Sequence, residues 1–142
     1  RYGKGAKTFG ALTYFLPGMP LIYNGQEYGL EKRLEFFEKD FIPKNKSDFY
    51  DFYSNLNLIN KENNLLNIDS KVKFEVIEIG NKSIVCFKRS KANESIYFIA
   101  NLSDEILEFK TGIKGNFQSI IKKTNYTLES NTLKGWEFHI LK

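Results

Sequence analysis

The residues best suited to chemistry follow directly on an apolar run. In "PGMPLIYNGQE", residues 17–27, the stretch Pro20-Leu21-Ile22-Tyr23 gives way within one residue to Asn24, Gly25, Gln26 and Glu27. A strand on a water-facing sheet would alternate; one that is apolar throughout and then turns abruptly polar is a strand buried on both faces, ending where something polar must be met. Two amides and a carboxylate, followed by Tyr28, supply donors and acceptors at that point. Glu27, Glu31 and Glu35 lie four apart, a spacing that would align them if the segment were helical. Residues 25–46 are too polar and interrupted for that and read as a long loop, of a length that is usually functional or covers something. Leu34, Phe36, Phe37 and Phe41 in "LEFFEKDF" predict that part of this loop is packed down.

Regular elements must hold that loop. Ala6, Phe9, Leu12 and Leu16, with Ala11 and Phe15 alongside, predict a helix over 5–16, stopped by Pro17-Gly18. A strand is expected at 20–24, with Pro20 tolerated at its first position. Phe49, Phe52, Tyr53, Leu56 and Ile59 make one stripe and predict a helix over 48–61, capped by Ser47 or Asp48. From about residue 70 the style changes. "KVKFEVIEI", "SIVCFKR", "SIYFIANL", "ILEFKT", "NFQSIIKK" and "WEFHIL" are short strand-like runs. The breaks fall at Gly80-Asn81, Ala92-Asn93, Ser103-Asp104 and Gly112 to Gly115, at roughly ten-residue spacing, as in a small antiparallel sandwich. The fold class is therefore α/β and then all-β. The first part cannot stand alone, because one buried-type strand between two helices has no neighbours for its backbone hydrogen bonds.

The bulk properties exclude several functions. The 142 residues are 42% hydrophobic and 15% aromatic, enough for a core, with a net charge of +4. Residues 31–48 carry five acidic and five basic side chains; interleaved charge of this kind is a solvated surface, so no nucleic-acid or membrane partner is expected. No apolar run approaches the ~18–20 residues of a membrane span. The one cysteine, Cys86, excludes an internal disulfide and reads as a small buried group in a strand. His139, the one histidine, is expected to be a satisfied or exposed strand residue, and no metal-ligand spacing accompanies it. Trp136 reads as core or interface packing. The chain starts at Arg1 and its one methionine is Met19. We expect a cut from a longer sequence, which leaves the compartment open.

This order of helix, "PGMPLIYNGQE", long loop, aromatic helix and β-domain resembles the end of an alpha-amylase family enzyme, glycoside hydrolase family 13. The last strand of that family's (β/α)8 barrel is similar to G-x-P-x-x-Y-x-G-x-E, here Gly18, Pro20, Tyr23, Gly25 and Glu27. "KRLEFFEKDFI" is similar to a subgroup of bacterial maltodextrin-degrading members. The resemblance implies that residues 1–66 are the C-terminal piece of a TIM (β/α)8 barrel, with helix 5–16, strand 20–24, rim loop 25–46 and helix 48–61. Residues 67–142 would be the C-terminal β-sandwich.

On that resemblance the parent is a hydrolase of α-1,4-glucans, starch or maltodextrin, using a retaining two-carboxylate mechanism. Such a mechanism needs carboxyls ~5–5.5 Å apart. The family draws its catalytic groups from strands four, five and seven, so none would lie in this chain, and the fragment alone is expected to be inactive. Active sites of such barrels lie at the C-terminal ends of the strands. Asn24, Gln26, Glu27, Tyr28 and Phe36 are then the candidates for sugar contact or for supporting the rim, Glu27 by hydrogen-bonding backbone or an arginine. The implied partners are a maltooligosaccharide and the upstream barrel. No cofactor is expected in this segment; some members bind calcium through parts of the barrel that lie elsewhere. The faces of Phe9, Leu21 and Ile22 are expected to be exposed in the fragment. The alternative is a non-catalytic carbohydrate-binding sandwich, which requires Trp136 and neighbouring aromatics to lie exposed on one sheet face. Amylase, neopullulanase-like, α-glucosidase and transglycosylase parents are not distinguished.

Overall fold

A residue before proline is driven out of the helical region, and Leu16, preceding Pro17, ends the first helix in this way. In the computed structural model, which describes residues 2–142, α1 runs Ala6–Phe15 and Leu16 sits at φ −63°, ψ 149°. The second helix, α2, runs Asp48–Glu62. Ser47 caps it, its Oγ accepting from Phe49 N at 3.3 Å, and Asp48 and Asp51 complement the positive end of the helix dipole. The aromatic stripe of α2 faces inward as its spacing predicts: Tyr53 and Leu56 are buried, with Phe49, Phe52 and Ile59 against the same core. The helices pack tightly at Gly10, where a Cβ would come 2.8 Å from Tyr53 Oη.

The strands are β1 (Lys73–Val76), β2 (Ile84–Lys91), β3 (Glu94–Asn101), β4 (Leu107–Lys110), β5 (Phe117–Gln118), β6 (Asn125–Tyr126), β7 (Ser130–Leu133) and β8 (Phe138–Leu141). A four-stranded antiparallel sheet has the order β1-β2-β3-β8, and β4-β7 and β5-β6 form two further ribbons. The register places Cys86 opposite Ile99, and Ile99 opposite His139. Period-two alternation then sorts the side chains. Val85, Phe87, Ile96, Phe98, Ala100 and Ile140 face the helices and share a core with Ala11, Phe15, Tyr53, Leu56, Leu65 and Leu66. Ile84, Cys86, Ile99 and Leu141 face the other way, onto Phe109, Leu128 and Leu133. The antiparallel sheets thus stack as a β-sandwich, with the helices on the outer face of the larger sheet.

Several expectations change. Residues 20–24 form no strand: among the described residues no strand pairs with them, and Tyr23 N instead donates to Gln26 Oε1 at 3.1 Å. A ladder needs a partner, and Leu21 is left 80% exposed. Phe36, Phe37 and Phe41 are exposed at 87%, 94% and 78%, not packed down. The loop is closed by a polar group instead. The Asp40 carboxylate accepts from Glu35 N at 3.1 Å, Phe41 N at 2.7 Å and Lys32 Nζ, leaving the rings outside. The buried residues of α1 are Thr8, Gly10, Ala11, Tyr14 and Phe15, a face rotated from the expected stripe. Thr8 can be buried because its hydroxyl donates to Trp136 O. Phe9 is half-buried rather than exposed, its ring 5.0 Å from Tyr2 and 5.9 Å from Trp136. Ile22 is also half-buried, against the helix-side core. β6 and β7 were not expected, since neither alternates and Leu133 is the one buried residue within the two strands.

Candidate functional site

The polar end of the "PGMPLIYNGQE" segment is shaped by two left-handed glycines. Gly25 (φ 94°) and Gly29 (φ 69°) bracket a single 3-10 turn, Gln26–Tyr28. A side chain at either position would be strained. Leu30 N and Tyr28 N both return to Gly25 O, at 3.0 and 3.1 Å. This knot points the three side chains of the turn differently. Gln26 Nε2 donates to the Tyr53 hydroxyl, Glu27 Oε2 accepts from Gly25 N at 3.0 Å, and Tyr28 stacks on Tyr50 with centroids 6.1 Å apart.

Between this turn and α2 lies a cleft of about 400 Å³, lined by Ile22, Asn24, Glu27, Tyr50, Tyr53, Ser54 and Asn57. Of the five candidates, Asn24 and Glu27 line it, Gln26 braces its wall through Tyr53, and Tyr28 supports Tyr50 from behind. Phe36 is not brought there; it meets Phe37 edge-to-face, centroids 5.0 Å apart, on the exposed loop. Sequence reasoning missed the α2 contribution. Tyr50, Ser54 and Asn57 fall at i, i+4 and i+7, beside the buried stripe, and that spacing was the available signal. It also missed Tyr14, whose hydroxyl donates to Asn57 Oδ1 at 2.6 Å and so fixes which end of the amide faces the cleft.

The electrostatics suit binding more than proton transfer. Burial raises the pKa of Tyr14, helped by neighbouring Tyr53. Burial also raises that of Tyr53, against the opposing effect of the hydrogen bond from Gln26. Both phenols therefore stay neutral. Glu27 is the one carboxylate in the lining, so the cleft holds no pair of carboxyls for glycoside cleavage. Its amides, hydroxyls and ring faces can hold a neutral polyhydroxylated ligand. Among the described residues no group of three or more His, Cys, Asp or Glu side chains is placed to hold a metal.

The remaining candidates take structural places. Cys86 is buried, and burial pushes its thiol up to about 12, so it is not a nucleophile. Trp136 adopts φ 58° and lies over Gly5, where a Cβ would come 2.7 Å from its Cε3. It joins α1 to the sandwich and is not an exposed platform. His139 is neither exposed nor satisfied: it is 4% exposed, and its Nδ1 has no partner among the described residues. The register explains this, since pairing with Ile99 turns it into the second core.

No family profile and no curated protein matches the sequence. Solved structures do. A noncanonic maltogenic alpha-amylase AmyB from Thermotoga neapolitana superposes with a TM-score of 0.80 at 18% identity, over 98% of this chain and 36% of its own. A maltogenic amylase from S. marinus gives 0.77 at 25% identity, over 98% of this chain and 19% of its own. AmyP, solved in complex with maltose, gives 0.74 at 14% identity, over 99% and 34%. The chain thus spans well under half the length of each. In its fold, this chain resembles the C-terminal part of alpha-amylase family (glycoside hydrolase family 13) enzymes.

Proposed function

We propose that the chain is the C-terminal segment of an α-glucan-acting glycoside hydrolase. Residues 1–66 would complete a (β/α)8 barrel and residues 67–142 would form its β-domain. Starch or maltodextrin would be cleaved by a retaining, two-carboxylate mechanism whose catalytic residues lie upstream. The observation that carries the reading is the apolar segment at 20–23. It has no strand partner among the described residues and leaves Leu21 80% and Tyr23 63% exposed, directly before a polar, glycine-shaped turn. A barrel strand lifted out of its barrel has this character. The cleft beside it supports a sugar-facing role for Asn24 and Glu27, and the maltose bound to AmyP supports maltooligosaccharide as the ligand class.

The test compares two proteins in a reducing-sugar assay on soluble starch and maltodextrin. The chain joined to its native upstream coding segment is expected to hydrolyse both, while the 142-residue chain is expected to be inactive. Hydrolysis by the isolated chain, or inactivity of the joined protein, would overturn the reading.

A further inference from the structure

Arg89 is buried, 3% exposed, on the helix-facing side of β2, and no carboxylate pairs with it among the described residues. Its guanidinium instead gathers backbone carbonyls from two places. Nη1 donates to Phe15 O at 3.2 Å and Leu16 O at 3.3 Å; Nη2 donates to Asn67 O at 3.0 Å. The first two are carbonyls at the C-terminus of α1, which the helix cannot satisfy internally and where its dipole is negative. A planar fork with several fixed donors suits this role, and a lysine does not reproduce it.

The place of this node gives it reach. Leu16 is the residue at which α1 stops, and the chain then runs through Pro17 and Pro20 to Tyr23 and the glycine turn. Each proline fixes its own φ, so the direction set at Leu16 is carried along a short, stiffened connection. On the other side of the node, Tyr14 precedes Phe15 and holds Asn57 in the cleft. Both walls of the cleft are thus tied to one β-domain side chain.

We propose that Arg89 is a positioning residue through which the β-domain sets the exit of α1, and with it the placement of the Asn24–Glu27 turn and of Asn57. Its consequence for catalysis rests on the hydrolase reading; its effect on the cleft does not.

The first test is amide hydrogen exchange on the whole 142-residue chain, comparing the parent with Arg89→Met and Arg89→Lys. Exchange at Tyr14–Leu16 and at Gln26–Leu30 is expected to accelerate at least fivefold in Arg89→Met, with β4 and β7 within twofold. An unchanged turn at 26–30, or equal loosening of β4 and β7, would overturn the proposal. If Arg89→Met does not fold, Arg89→Lys gives the same comparison. The second test measures kinetics on maltodextrin in the chain joined to its upstream segment. Arg89→Lys is expected to alter kcat or KM severalfold at a temperature where the variant is fully folded. Unaltered kinetics there would refute the positioning role. A joined parent with no activity would refute the hydrolase reading, and the exchange result would then decide on Arg89 alone.

Discussion

Buried His139 makes the chain lose stability as the pH falls below about 6.5. Its side chain sits in the second core, ring centroid 3.9 Å from that of Tyr126, with Nε2 3.3 Å from Glu137 Oε1. Burial, and then the charge of Lys122, press its pKa from 6.5 down to about 4, against the opposing pull of Glu137. Glu137 offsets this only in part, its Oε1 being shared with Lys122 Nζ at 2.5 Å. The folded value lies below the unfolded one, so the unfolded chain binds more protons between the two. Stability is therefore full above about pH 6.5 and is lost as the pH falls toward 4. At 1.36 kcal/mol per pKa unit the full loss is about 3 kcal/mol, of which about 2 kcal/mol falls between pH 7 and 4.5. His139 is the one histidine in the chain. Asp40, Asp48 and Asp69 are each held below the ordinary carboxylate range by a hydrogen bond from a lysine, so their effects begin lower still. Urea unfolding at half-unit steps from pH 7 to 4.5 reads the slope, with His139→Leu as the comparison. The parent is expected to lose stability progressively and the variant to stay nearly flat. A variant with the parent's slope would refute the reasoning.

Three further outcomes follow from single side chains. Asn101→Leu is expected to lower stability by about 3 kcal/mol in urea unfolding. The buried Asn101 amide donates to Glu105 O, Lys134 O and Leu133 O at 2.7, 3.1 and 3.4 Å, and its removal takes a donor from each, leaving Lys134 O its bond from Glu137 N at 3.0 Å. Gly135→Ala is expected to cost about 2–3 kcal/mol, read as a drop in Tm, because a Cβ there would lie 2.4 Å from the backbone Asp104 O. Leu21→Asp is expected to change the isolated chain's stability by less than about 0.5 kcal/mol, since Leu21 is exposed. On the proposed barrel reading, the same change in the chain joined to an upstream barrel is expected to abolish soluble expression or activity.

What the sequence revealed, and what it hid, divides along a physical line. α2 was legible because five apolar residues recur at helical spacing and a serine stands at its start. β2 and β3 were legible because both faces of their sheet are covered and both runs end at turn residues. α1 was placed but rotated, because the hydrophobic pattern alone cannot foresee that Thr8 finds a carbonyl from Trp136, 128 positions away. The loop phenylalanines were misjudged for a similar reason: Asp40 closes that loop by polar bonds, so apolar burial is not what shapes it. The motif segment reads as a strand over 20–24 with a turn at Gly25, and the structure has the turn without the strand; the α2 wall of the cleft depends on a tertiary approach through Gly10 and Tyr53.

The arrangement of the sandwich bears on the rival idea of a free sugar-binding module. Such a module presents aromatic rings from an open sheet face. Here both faces of β2, β3 and β8 are occupied: Phe87, Phe98 and Phe138 meet the helices, and Ile99 and Leu141 meet the second layer. Trp136, the ring best suited to stacking, is seated on Gly5 and beside Phe9. Freeing the helix-side face would require α1 and α2 to leave, exposing Phe15, Leu56 and Leu65, each at most 1% exposed. At roughly 1.5–3 kcal/mol for each such side chain, that separation is prohibitive beside the 5–15 kcal/mol of a typical domain. On the proposed reading the β-domain supports the helices, and the side of the molecule where Leu21 and Tyr23 are exposed beside the cleft is the one left open to a ligand.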